Sequence, residues 1–221
     1  MKTGNRESER FMRNLRALEV EVKRLKNEVR ILGDIEQIKK LQGIYGYYLD
    51  YHMWEEIVDL FSDETESVEV SDSGVYLGKK GVKKFFKSLL GGSKPGSTRR
   101  LHVTMQLQGV IDIEADGKTA NGRWQALECI VRTVDGVFKQ LWGHGVYENE
   151  YIKENGKWRF KKLHFNLTFR TPFEHGWLKT PVVGSARNKT VEPDRPPTAY
   201  KPYPSGYAVP FHFKHPITGR R

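Results

Sequence analysis

Phe11, Leu15, Leu18, Val22, Leu25, Val29 and Leu32 follow one another at alternating spacings of four and three, with Arg, Lys and Glu between them. This heptad seam predicts an amphipathic helix. Its stripe is narrower than a domain-packing helix uses, so self-association through residues 11–32 is expected, as a dimer or a trimer. Gly33 is expected to end this helix and Asp34 to cap the next. Between Ile44 and Phe61, apolar or aromatic residues recur at Ile44, Tyr45, Tyr48, Leu49, Trp54, Ile57, Val58, Leu60 and Phe61, predicting two short helices broken near His52. Asp50 sits inside this aromatic run. It reads either as the cap of the second helix or as an acid in a cavity. Tyr45 and Asp50 are roughly 140° apart on a straight helix, so they can flank one cavity without stacking.

The pattern then changes. Ser67–Ser71 and Val75–Leu77 alternate as short strands, and 78–90 is helical, with Val82, Phe85, Phe86, Leu89 and Leu90 opposite a solvated face of lysines. GGSKPGST (91–98) is a flexible loop. Turns at ADGKT (115–119), VDG (134–136) and ENGK (154–157) separate four long antiparallel strands at about 101–113, 120–133, 137–152 and 157–170. Strands this long imply a curved sheet. Helices followed by a meander of long strands give an α+β fold, a cone-shaped barrel whose sheet wraps the N-terminal helices and encloses a pocket. The expected organisation is a coiled-coil helix (1–33), the barrel domain (34–172) and a C-terminal extension (173–221). Nine of the ten prolines lie between Pro172, at its border, and Pro216, with seven aromatic residues among them. It reads as an extended arm packed on its own domain or on a neighbouring subunit.

The formal net charge of +10 is uneven: residues 1–40 carry +4, 41–169 carry 0 and 170–221 carry +6. A neutral core with basic ends argues against a nucleic-acid groove. No apolar run is long enough for a membrane span. The single cysteine, Cys129, and a charged N-terminus point to a reducing, cytoplasmic setting. Paired-cysteine and HExxH metal motifs, nucleotide-binding glycine loops and GxSxG are absent, so no cofactor or metal is expected.

Candidate chemistry comes from polar residues at alternating strand positions. His102, Thr104, Gln106 and Gln108 share one face of the first long strand, and Trp124, Ala126 and Glu128 one face of the second. The third offers Trp142, His144, Val146 and Glu148, and the last Lys162, His164, Asn166, Thr168 and Arg170. This face is either solvent surface or, given its Trp and His content, the lining of a ligand pocket. His102 is the best acid/base candidate, with a buried Asp50 to orient it. His144 and His164 also read as packed sheet histidines. Arg170 and Asn166 are donors suited to an anionic or phenolic oxygen.

A helix carrying Tyr45 and Asp50 followed by HMWEEIVDLFSDE, a helix after GVYLGKKG, and His102 opening the first of four long strands together resemble the SnoaL-like branch of the nuclear transport factor 2-like superfamily. The resemblance covers about 35–172. It implies a cone-shaped pocket and cofactor-free dimers or trimers, as in scytalone dehydratase, bile-acid dehydratases and polyketide cyclases. It also implies a site of Tyr45, Asp50 and His102. The N-terminal helix and the tail ending YPSGYAVPFHFKHPITG are similar to γ-formaldehyde lyases acting on lignin-derived dimers. The function expected is a cofactor-independent lyase acting on a hydroxylated aromatic or polycyclic small molecule. It would release formaldehyde by C–C cleavage or water by dehydration, with Asp50, His102 and Tyr45 catalytic and Tyr48, Trp124, His144, Asn166 and Arg170 binding substrate. A double-bond isomerase and a non-catalytic binding or scaffold protein are the alternatives.

Overall fold

The computed structural model describes residues 3–89, 101–134, 136–184 and 191–220. The expected loop over 91–98, Leu90 and Asp135 lie outside them. In chain order the elements are α1 (Thr3–Asp50), α2 (Trp54–Asp59), β1 (Ser67–Val70), β2 (Val75–Leu77), α3 (Gly78–Lys83) continued by a π-helical turn (Lys84–Leu89), then β3 (His102–Ile113), β4 (Thr119–Val134), β5 (Val137–Glu154), β6 (Lys157–Pro172) and α4 (Gly176–Lys179). One six-stranded sheet has the order β2-β1-β6-β5-β4-β3, antiparallel except where β1 runs parallel to β6. This is the expected α+β fold, a curved sheet wrapped on helices.

The expected break at Gly33 is corrected: α1 runs through it without interruption for 48 residues. A mid-helix glycine costs about 1 kcal/mol relative to alanine. The next residue offsets that cost. Asp34 is buried and its carboxylate accepts from Trp158 Nε1 at 2.9 Å, Lys153 Nζ at 2.5 Å and Arg30 Nη1 at 3.2 Å, which anchors this turn to the end of the sheet. Burial raises the Asp34 carboxyl, but the Lys153 and Trp158 hydrogen bonds outweigh it and leave it below its ordinary value. Residues 8–30 are exposed on all sides of the helix, the heptad seam included. From Asp34 onward α1 enters the concavity of the sheet, where Ile38, Leu41, Tyr45 and Leu49 pack against Tyr147, Phe160 and Leu163 in one apolar core.

The break near His52 is a left-handed termination. His52 has φ 57°, its N–H bonds to Leu49 O at 3.2 Å, and Met53 N–H reaches back to Tyr48 O at 2.8 Å. The reading of Asp50 as cap of the second helix is corrected too: α2 starts after Met53 with no side-chain cap.

The arm folds back over its own domain. Val75 and Arg195 exchange backbone bonds at the β2 edge, Thr198 binds Glu69, and Tyr203 N–H donates to Thr168 O at 2.7 Å. Its last part crosses β4 and β5, where Arg123 donates to Val209 O and Pro210 O. Among the described residues no helix is long and apolar enough to cross a membrane.

Candidate active site

The last turn of α1 lies against edge strand β3, and Asp50 joins them. Its Oδ1 accepts the Thr104 backbone N–H at 2.8 Å and lies 3.6 Å from His102 Nδ1. The two side chains remain reachable from solvent, at 19% and 26% exposure. The His52 ring stands edge-on to His102 at 5.6 Å and stacks on Trp54 at 5.0 Å, so the left-handed termination of α1 helps to wall the site.

Across the same face of the sheet, Thr104 is paired with Glu128, Glu128 with Gly143, and Gly143 with Arg170. Arg170 reaches back over Gly143 to bind Glu128 in a bidentate ion pair, Nε to Oε2 at 2.8 Å and Nη2 to Oε1 at 3.0 Å, both side chains buried. Glycine is required here by the close approach: a Cβ at 143 would sit 2.8 Å from Glu128 Oε2 and 2.8 Å from Phe169 O. Burial raises the Glu128 carboxyl, but the charge and hydrogen bonds of Arg170, with His102 nearby, hold it below its ordinary range. Arg170 is raised in return, burial being outweighed by Glu128. Beside them Arg132 is pulled down to about 10 by burial and by the Arg170 charge. Among the described residues His102 Nδ1, Thr104 Oγ1 and Arg170 Nη1, buried polar atoms of this face, have no hydrogen-bond partner. Orphaned donors of this kind in a native fold call for an explanation, and a ligand oxygen is one.

Deeper in the cone Tyr45 is fully buried, hydrogen-bonded to Tyr147 and packed edge-on against it at 6.0 Å. Burial pushes both phenols well above the ordinary tyrosine value. Tyr147 is bonded in turn to Gln106, Gln106 accepts from Gln42 at 2.8 Å, and Tyr151 donates to Gln42 at 2.8 Å and accepts from Trp124 Nε1 at 3.0 Å. Trp124 and Tyr45 therefore belong to one polar seam lining the interior. Tyr48 is half-buried against the core on the same helix.

Asp50, His102, Tyr45, Trp124 and Arg170 thus face the concavity. His144 and Asn166 are on the opposite face. Strand β5 places Gly143, Gly145 and Tyr147 inward, so Trp142, His144, Val146 and Glu148 point out. Strand β6 shifts register twice against β5, at Glu150–Tyr151 and at His144–Gly145, which turns Lys162, His164 and Asn166 outward and returns Arg170 inward. His144 is a packed sheet histidine: Nδ1 meets Thr168 Oγ1 at 3.0 Å, and burial lowers its pKa. Thr104 and Glu128 were placed on polar strand faces by sequence but given no role there, and Arg132 was not singled out. The signal for Glu128 was its place in alternation with Trp124, a charge on a strand face that also carries a large aromatic.

A SnoaL-like domain model matches residues 30–164, more than half of the chain. The chain belongs to the SnoaL-like family, within the nuclear transport factor 2-like superfamily. Among solved structures, SnoaL-like architecture of the same kind occurs in a candidate scytalone dehydratase from Novosphingobium aromaticivorans, with TM-score 0.53, 20% identity, and coverage of 71% of this chain and 97% of that one. It also occurs in the hexachlorocyclohexane dehydrochlorinase LinA-type3 from Novosphingobium barchaimii, with TM-score 0.55, 17% identity, and coverage of 66% and 94%. At these identities the likeness is one of fold.

Proposed function

We propose that this SnoaL-like protein is a cofactor-independent lyase that carries out acid/base elimination on a hydroxylated aromatic or polycyclic small molecule. One observation carries the reading: His102 and Asp50 lie 3.6 Å apart at a solvent-reachable edge of the cone, beside the unpartnered donors Thr104 Oγ1 and Arg170 Nη1. Asp50, already fixed by the Thr104 N–H, orients His102 through Nδ1 and leaves Nε2 for the substrate. In a dehydration His102 protonates the departing hydroxyl, the C–O bond breaks, and loss of a proton from the adjacent carbon leaves the double bond. In a γ-formaldehyde lyase reaction His102 takes the proton of a terminal CH2OH, the C–C bond breaks to release formaldehyde, and the electron pair forms a double bond to the adjacent carbon as that carbon's hydroxyl takes the proton back from His102 and leaves as water. Arg170 and Thr104 hold the oxygen on which charge develops, with Tyr48 and Trp124 against the ring. The names of two structural neighbours, a dehydratase and a dehydrochlorinase, are both those of eliminations.

The test is incubation with aryl-propane diols and hydroxylated polycycles, read by mass spectrometry, chromatography and a formaldehyde assay. Formaldehyde with a mass loss of about 30 or more establishes C–C cleavage, and a loss of about 18 establishes dehydration. Asp50→Asn and His102→Ala should each lower turnover by about 100-fold or more. Unchanged turnover in both sinks the mechanism, and no conversion or isomerisation of any compound leaves a binding protein.

The proposal includes cytoplasmic self-association through α1. Leu15, Val22 and Val29 occupy one seam position and Phe11, Leu18, Leu25 and Leu32 the other, all exposed. β-branched residues at the first with Leu at the second favour two parallel strands, in which Glu21 of one helix faces Lys26 of the other.

A further inference from the structure

A cavity of about 310 Å³ lies on the outer face of the sheet, away from Asp50 and His102. Its floor includes Asn166 and Lys162 of β6 and Glu148 of β5, and its wall is the arm, with Tyr207, Phe211 and His212. The wall is held in place by named contacts. His212 Nδ1 bonds to Glu148 Oε1, Arg123 donates to Glu148 Oε2 at 2.6 Å and to Pro210 O at 3.0 Å, and the Arg123 guanidinium lies 4.4 Å from the Phe211 ring centroid. The arm therefore builds a concavity at the lower end of the range that small-molecule sites occupy.

Two features identify what fits. Asn166 is only 7% exposed and its Nδ2 is buried with no hydrogen-bond partner among the described residues, which asks for an acceptor from a ligand. The charges around it are already balanced: Glu148 by Arg123 and His212, and Glu150 by Lys162 at 3.4 Å and Lys161 at 3.7 Å. A ligand bringing its own charge would disturb two balanced ion-pair groups, whereas a neutral oxygen completes Asn166, or His212 Nε2, the other buried lining atom with no hydrogen-bond partner among the described residues. The aromatic rings of Tyr207 and Phe211 in the lining suit a flat aromatic partner.

We propose that the sheet and the C-terminal arm form a second binding site, separate from the acid/base cluster, for an uncharged single-ring aromatic carrying a phenol, aryl-ether or aryl-carbonyl oxygen. The ligand's oxygen accepts from Asn166 Nδ2 and its ring lies against the arm. Bound ligand thereby fixes the arm on the sheet.

The experiment is a calorimetric and ligand-observed NMR titration of the full chain with 4-methoxyphenol, with benzoate as the charged comparison. The phenol should bind saturably with Kd about 1 mM or tighter, and benzoate more weakly. Asn166→Leu should raise Kd about 10-fold. Phe211→Ala, at a residue 58% exposed and so safe for folding, should also weaken binding, and His102→Ala should leave it unchanged. The site is overturned by absence of saturable binding, by benzoate binding as well as the phenol, or by binding that survives both Asn166→Leu and Phe211→Ala. Binding lost in His102→Ala would place the probe in the cone and equally overturn it.

Discussion

Replacing Glu128 by Gln tests the central electrostatic claim about the concave face. The side chain keeps its size but loses its charge, leaving the Arg170 guanidinium buried beside Arg132 with its bidentate partner gone. Breaking one side of a buried ion pair costs about 3–5 kcal/mol, because the remaining charge cannot regain its hydration. For a chain of this size that corresponds to a fall in Tm of about 6–20 °C. The measurement is urea and thermal unfolding at one fixed protomer concentration, since the proposed association would also contribute to stability.

The paired replacement sharpens it. Glu128→Leu with Arg170→Met removes both charges, and an apolar pair of similar volume should recover stability to within about 1 kcal/mol of the parent or exceed it. Turnover should not recover, because Arg170 Nη1, the unpartnered donor on the concave face, is gone. A loss under about 1 kcal/mol for Glu128→Gln, or a double variant as unstable as the two single losses added together, would show that the two groups are not coupled.

Gly143→Ala should destabilise by about 1–3 kcal/mol in the same unfolding assay, since its Cβ meets both the Glu128 carboxylate and the Phe169 backbone at 2.8 Å. Stability should fall on acidification below the ordinary carboxylate values of 4.5 and 3.8, because Glu128 and Asp34 are both held below them in the folded state. In that window the unfolded chain binds more protons, so the contribution is present above the ordinary values and lost as pH falls through the folded ones. Glu128→Gln should flatten part of this acid limb in a pH series of urea midpoints. Under the proposed self-association through α1, Leu18→Lys with Leu25→Lys should lower the mass in light scattering to that of a monomer without changing the circular dichroism of the sheet; a parent already monomeric, or a mass unchanged by the variant, would remove the seam as an association surface.

Local signals made the frame legible. Turn chemistry located the long strands to within about two residues, and at Asn155-Gly156 both φ angles are positive, as a tight hairpin turn demands. The uninterrupted α1 was not legible, because what sustains the helix past Gly33 is Asp34 meeting Lys153 and Trp158 from the far end of the chain. Within the candidate site, the juxtaposition of Asp50 and His102 could be anticipated from a helix end and a strand start.

The pairing of Glu128 with Arg170 could not. Each lay on an alternating polar strand, but alternation assigns residues to two faces without saying which face of one strand continues which face of the next. Strand β5 hides its answer, because its inward positions beside the site are Gly143 and Gly145 and its outward ones carry the Trp and His that look like a pocket. Strand β6 changes its answer twice through bulges. The polar positions that sequence places on one face are therefore divided between two, with His102, Glu128 and Arg170 inside the cone and His144, His164 and Asn166 outside it. That division is what separates an acid/base cluster under α1 from a charge-balanced cavity under the arm. A single bulge fewer in β6 would have put Asn166 and Arg170 on the same face, and one site would have held both donors.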